Sequence, residues 1–484
     1  MRRTLFSAAL AVGACASLIA CVTNPATGKR QFSLVSKDDE VAMGQEEAQK
    51  VAASMPILQQ QAVQDMVKRV GMEMAKSSER PELPWSFTVL DDPVVNAFAL
   101  PGGPIFITRG IITNMNSEAE LASVLGHEIG HVTARHSASQ ISKQQLASMG
   151  VGVASVISPT AAQFAGVAQQ GLGLLMLKYG RDDETQADKL GYRYMTKTSW
   201  DPREAVKMFQ MLQRTSGGEK EGRPPAWMST HPDPGDRAQR AEARLKELNA
   251  KNVNLDSLRR NREQFMRAID GLSYGEDPRD GFFRGSTFYH PGLALQLTFP
   301  EGWQTANQPQ VLAAREPEGK ALVQVTAAKG AGPDEALRSF FSNQGFANVQ
   351  EVQVQTSATP ARSAVFDAQT QQGVVQGVTT VLTLKGRMFQ VLSVGGQGSL
   401  QAVSGIHGQV IGSFKEVTDP AILNIRAPQV KVVQLPKAMS VEDFYAQFPS
   451  VLPLDQVLII NGLERGAQLK QGDLVKQVVA GTAR

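Results

Sequence analysis

The stretch His127-Glu128-Ile129-Gly130-His131 decides the reading of this chain. It sits in a helix-compatible run from Glu118 to His136, where a separation of four residues sets both imidazoles on one face, one turn apart. Two neutral imidazoles so placed suit a divalent metal such as Zn²⁺, one per chain, and leave a further ligand to come from elsewhere. Glu128, beside the first histidine, is positioned to take a proton from a water at that metal. The five-residue pattern also arises in unrelated proteins, so its companions carry weight.

Downstream, Arg181-Asp182-Asp183-Glu184-Thr185-Gln186-Ala187-Asp188 forms another helical segment. By itself it would read as a solvated acidic helix face. Beside the upstream motif, Glu184 becomes the expected third ligand, and Asp188, one turn later, is placed to orient a ligating imidazole. His136 reads as an ordinary helix-end histidine, while His290 and His407 have no partner motif and read as structural. Upstream, Asn96-Ala97-Phe98-Ala99-Leu100-Pro101-Gly102-Gly103-Pro104-Ile105-Phe106-Ile107-Thr108 is a turn between apolar runs, expected as a strand pair. Pro104 suggests an edge strand, because it cannot donate to a ladder. Residues Asn96, Ala97 and Phe98 are the expected edge against which an extended peptide substrate would align.

Together these motifs resemble the HtpX- and BepA-like metallopeptidases, relatives of the CAAX prenyl proteases. The resemblance runs from about Cys21 to Leu248 and rests on Asn96-Ala97-Phe98 with Pro101-Gly102-Gly103, the histidine motif extended by Arg135-His136, Glu184 to Asp188, and His231-Pro232 with Arg237. It implies a gluzincin-type zinc endopeptidase with Glu184 as ligand. His231 would lie at the site to contact substrate, stabilise the oxyanion or transiently fill the metal's open position, and Arg237 would support that region. Where this chain has Gln186 the family often has glutamate, so no carboxylate role carries over there.

Composition is consistent with a folded, multidomain protein: 484 residues, 42% hydrophobic and 20% charged. The formal charge of +3 gives no reason to expect a nucleic-acid partner. Arg2 and Arg3 precede an apolar stretch from Leu5 to Ala20, which reads as an export signal. It closes with Leu18-Ile19-Ala20-Cys21, which resembles a bacterial lipobox, so 1–20 is expected to be removed and Cys21 lipidated. Of two cysteines, Cys15 lies in the discarded part, which leaves no internal disulfide. Val22 is not the aspartate associated with inner-membrane retention, which favours a periplasmic chain anchored to the outer membrane.

The expected organisation is therefore multidomain. A mainly α-helical zincin-type domain with a small edge sheet spans 21–265, an α+β domain 286–418, and a small module 428–484. Phe288-Tyr289-His290-Pro291-Gly292 with Phe299-Pro300-Glu301-Gly302-Trp303 resembles the opening of PsbP/DcrB-like domains. Asn461-Gly462-Leu463 and Leu469-Lys470-Gln471-Gly472-Asp473 resemble a LysM-type module, which would bind peptidoglycan. Residues 249–284 show little pattern and read as a linker. The uncharged run from Gln144 to Leu177 reads as buried or site-covering helices rather than a span, with peripheral membrane contact as the competing reading.

The expected function is hydrolysis of peptide bonds in unfolded or misassembled cell-envelope proteins. Two other classes compete: a gated or non-catalytic envelope chaperone or assembly factor, and a cell-wall-binding lipoprotein.

Overall fold

The computed structural model describes residues 21–150, 178–216, 227, 231, 234–250, 254–308, 310–342, 345–370 and 373–481. The expected export signal, most of the uncharged run and Pro232 lie outside the described residues. Contacts divide the chain into two units, Met1–Glu276 with Pro428–Val479, and Asp277–Ala427 with Ala480–Arg484.

The first unit opens with a short hairpin, β1 (Cys21–Thr23) and β2 (Arg30–Phe32). Helix α1 (Lys37–Ser54) follows, its start fixed by the Ser36 side chain accepting from the Asp39 amide. Gly44 on α1 is needed for a close approach, since a Cβ there would stand 1.7 Å from the Pro101 carbonyl oxygen. Glu40, buried on the same helix, is paired to Arg80 at 2.9 Å and to Arg135 at 2.8 Å. Helix α2 (Gln61–Lys76) precedes a three-stranded sheet of β3 (Ser86–Leu90), β4 (Ala97–Ala99) and β5 (Pro104–Thr108). Its order is β3-β5-β4, parallel on one side of β5 and antiparallel on the other.

The expected edge role of Pro104 is corrected by this order. Pro104 begins the central strand, and the free edge is β4, with Ala97 and Phe98. A proline at the first position of a strand has no ladder bond to lose, so it is tolerated even between two partners.

After a short helix, α3 (Arg109–Asn114), comes α4 (Glu118–Thr133), which carries the histidine motif and is capped by Ser117 accepting from the Glu120 amide. The helix stops before the expected His136. Arg135 adopts φ of 58°, and α5 (His136–Gly150) sets out afresh. Helix α6 (Arg181–Lys197) crosses α4 closely. A Cβ on Gly130 would meet the Ala187 carbonyl oxygen at 2.9 Å, and one on Gly191 would meet the Gly126 backbone at 3.1 Å. Glycines at this crossing bring Glu184 within reach of the motif.

Helices α7 (Arg203–Ser216), α8 (Pro234–Ala250) and α9 (Arg262–Ile269) complete this part. The last of these corrects the patternless linker: Phe265, Met266 and Ile269 are fully buried in the main core. Eight residues with four apolar positions give too few repeats for a periodic signal. Among the described residues, no helix is long and apolar enough to cross a membrane.

The second unit is α+β. A four-stranded sheet contains β6 (Phe282–Arg284), β7 (Thr287–His290) and β8 (Leu295–Thr298). A seven-stranded antiparallel sheet contains β9 (Gln304–Gln308), β10 (Val311–Arg315), β11 (Ala321–Ala327), β12 (Phe346–Val352), β13 (Ala361–Thr370), β14 (Gly373–Leu384) and β15 (Arg387–Gly396). Two helices, α10 (Pro333–Phe341) and α11 (Leu400–Gly412), pack against this sheet, the second of them without a sequence signal. Glycines at 405, 408 and 412 lower its intrinsic propensity, and packing on β14 and β15 supplies what propensity lacks.

The segment 428–479 returns to the first unit with its own apolar cluster around Leu435, Phe444, Val457 and Leu469. Here a strand pair, β17 (Gln429–Gln434) and β18 (Leu474–Val479), follows β16 (Lys415–Glu416) of the second unit in sequence. Lys476 on β18 is fully buried, and its Nζ donates to the carbonyls of Thr113 at 3.0 Å and Met115 at 2.6 Å.

Candidate metal centre and active site

Four side chains from two helices and one loop position converge. His127 and His131 come from α4, Glu184 from the first turn of α6, and His231 from just before α8; all four are buried, and one ligand atom from each lies within 4.8 Å of the others. His127 Nε2 lies 3.0 Å from His131 Nε2 and 3.3 Å from His231 Nδ1. Glu184 Oε1 lies 2.9 Å from His231 Nδ1 and 3.4 Å from His131 Nε2. A tetrahedral ion with bonds of about 2.0–2.1 Å would hold its ligand atoms roughly 3.3 Å apart. The observed separations bracket that value, and three imidazoles with one carboxylate form a donor set for a divalent transition metal. The residues present therefore fit a metal ion.

The surroundings fix these rings. His127 Nδ1 lies 3.0 Å from Asp188 Oδ1, and Asp188 is gripped by Arg237 through Nη2 at 2.6 Å and Nε at 3.0 Å. Burial would raise the Asp188 carboxyl, but Arg237 and His127 outweigh it and bring it down to about 2. Burial lowers His127 to about 3, helped by the charge of Arg237, so the ring stays neutral as a ligand must. Burial likewise opposes ionisation of Glu184, yet His231 and His127 hold that carboxyl well below the ordinary range. Arg237 Nη1 lies 2.9 Å from Glu184 Oε2 as well, so one guanidinium braces both acids.

Glu128 is completely buried, with one carboxylate oxygen 3.6 Å from His231 Nε2. Burial pushes it up to about 7 against the opposing pull of His131. A carboxyl poised there exchanges protons near neutrality, as a general base must. Strand β4 packs against α4, so its free edge borders the motif helix. Asn96 shapes the start of that edge: its amide donates to Thr108 Oγ1 at 3.1 Å, and its side-chain oxygen accepts from the Ala97 amide at 2.9 Å. Phe98 stacks on Phe106 at 5.3 Å.

The arrangement matches the description Peptidase family M48 over residues 61–245. The mitochondrial metalloendopeptidase OMA1 of Schizosaccharomyces pombe is 32% identical over 237 residues, 48% of this chain and 68% of that protein. The chain belongs to peptidase family M48. Beta-barrel assembly-enhancing proteases are similar too: that of Yersinia pestis is 28% identical over 46% of this chain, and that of Escherichia coli K12 is 27% identical over 47%. The match spans about half the length of those two, 47% and 48% respectively. A solved cyanobacterial PsbP from Synechocystis sp. PCC 6803 covers 27% of this chain and 91% of its own, at 12% identity and a TM-score of 0.22, too low to assign a fold.

Within this M48 centre, the structure brings together His127, Glu128, His131, Glu184, Asp188, His231 and Arg237. Cys21 stands apart, at the start of β1. Sequence reasoning missed three supports. His136 Nδ1 lies 2.9 Å from His131 Nδ1, while its Nε2 lies 2.7 Å from Gln186 Oε1, so His136 orients a ligand through the position where the family often has glutamate. Tyr179 stacks on His131 at 3.9 Å, and Trp227 on His231 at 4.2 Å. The adjacency of Arg135 and His136 to the motif was the only available signal for the first; Tyr179 and Trp227 had none.

Proposed function

We propose that the protein is a zinc-dependent endopeptidase that cleaves unfolded or misassembled cell-envelope proteins, held at the periplasmic face of the outer membrane through a lipid on Cys21. The convergence of three imidazoles and Glu184 beside a buried Glu128 carries the catalytic part of this reading. The names of the bacterial relatives, together with the lipobox-like segment, support the envelope part.

Zinc, when bound by His127, His131 and Glu184, supplies Lewis acidity that polarises a peptide carbonyl and acidifies water. Glu128 accepts the proton of the attacking water and returns it to the departing amine. The β4 edge aligns an extended substrate through backbone bonds, which selects unfolded chain rather than a side-chain code. Asp188 and Arg237 keep His127 in one tautomer, and His136 does the same for His131.

His231 carries a second element. Its Nδ1 occupies the fourth corner of the donor set, which supports a resting state closed by this imidazole, with Trp227 stacked behind it. Released from that corner, it becomes a donor to the developing oxyanion. His231→Ala is expected to keep zinc and to lower kcat by about 10²-fold. A higher kcat would assign it to closure alone.

The primary test is reversible metal dependence: casein cleavage by a soluble form begun after Cys21 should stop on chelation and return with stoichiometric zinc. Cleavage that persists without metal would overturn the assignment. Peptidoglycan binding by the LysM-like segment is tested by co-sedimentation with and without 430–484.

A further inference from the structure

A cavity of about 210 Å³ opens between α6 and α8, with Phe209 of α7 among its walls. Asp188 and Arg237, which brace the metal centre, both line it. Its apolar surface comes from Phe209, Tyr192 and Ala241, all buried, with the Arg237 guanidinium 4.6 Å above the Phe209 ring. Tyr192 is only 7% exposed, and among the described residues its Oη has no hydrogen-bond partner. A buried hydroxyl without a partner costs free energy that a ligand acceptor would recover.

The charges around the cavity are unequal. Asp188 is fully engaged by Arg237, and Arg244 is paired to Glu247 at 2.9 Å. Lys189 and Arg240 also line the cavity, and neither has an ion-pair partner among the described residues. The chamber thus has an apolar floor, one buried hydroxyl without a partner among the described residues, and two exposed cations at its rim that lack an ion-pair partner among those residues. Its size admits a ring or a short chain rather than a folded segment.

We propose that this cavity binds a small apolar monocarboxylate, with its hydrocarbon body on Phe209, Tyr192 and Ala241 and its carboxylate held by Lys189, Arg240 and the Tyr192 hydroxyl. The chemistry is shared by the C-terminal residue of a peptide and by a short fatty acid. Nothing in the hydrolytic reading requires this site, and its test measures binding, so either can fail alone.

Isothermal titration calorimetry of the full chain separates the possibilities, using acetyl-Ala-Ala-Phe as free acid and as amide, and octanoate beside octanamide. Both the acids' preference over amides and the loss on Lys189→Ala with Arg240→Ala are expected at about tenfold or more, as for charge-assisted bonds. Tyr192→Phe keeps the ring and should weaken the acid several-fold. Tighter binding of the peptide acid assigns the site to peptide C-termini, and tighter binding of octanoate assigns it to fatty acids. Absence of heat with either acid, equal binding of acid and amide, or undiminished binding by the Lys189 and Arg240 variant would overturn the proposal.

Discussion

The imidazoles of α4 and the imidazole of α11 are equally buried, yet their partners are of opposite kinds. His127 and His131 turn Nε2 toward each other at 3.0 Å and toward Glu184, so lone pairs face lone pairs. His407 in the second unit lies between two hydroxyls, with Nε2 at 2.6 Å from Thr380 Oγ1 and Nδ1 at 2.8 Å from Ser393 Oγ. A hydroxyl rotates to donate or accept, so a neutral His407 is satisfied in either tautomer. The first cluster gathers ring nitrogens and a carboxylate around one point, a donor set that a metal ion would complete. Burial of a histidine therefore says little about function; what its nitrogens face says much.

The largest effect that would test this contrast belongs to Glu184→Ala. It should drop zinc from about one per chain to near none after dialysis, with hydrolysis lost alongside, because the site loses its only carboxylate. Atomic absorption on the dialysed protein checks it. Asp188→Ala should cost about 10–100-fold in zinc affinity while leaving the ligands in place, measured by competition with a chromogenic chelator. A comparable loss in a His407 variant would break the comparison.

Acid should weaken the second unit. Burial pulls His407 from 6.5 down to about 4, so the unfolded chain takes up the proton first. Stability from this group is complete above about pH 6.5 and is lost as pH falls through about 4, a change of about 3 kcal/mol. Amide exchange of β14 and β15 across that window should show the loss, and His407→Leu should flatten it. At neutral pH, His407→Leu strands the Ser393 hydroxyl, while Thr380 keeps Ser363 Oγ at 2.6 Å, and should cost about 1–3 kcal/mol in the same measurement. Its zinc content should not change.

The catalytic motif was legible because its geometry is local: four residues on a helix are one turn. Glu184 and Asp188 followed from the same rule on a second helix, although the glycines at 126, 130 and 191 that let the two helices meet carried no such mark. His231 and Arg237 entered only through family resemblance, since their approach to α4 is purely tertiary. His136 was misjudged because the sequence reads as one helix, whereas the break at Arg135 turns its ring back onto His131. Lys476 shows the same limit: a lysine in a strand reads as solvated, yet its stem is long enough to plug the carbonyls at the end of α3. Pro104 and α11 were obscured by propensity rules that strand position and sheet packing override.

The most direct test of the central claim compares casein hydrolysis by wild type and Glu128→Gln, both begun after Cys21 and matched for measured zinc. Retained zinc with cleavage lowered by about 10²–10⁴-fold is the predicted result, since only the proton acceptor has been removed. Equal cleavage by the two proteins would contradict the account, because Glu128 would then have no part in the reaction.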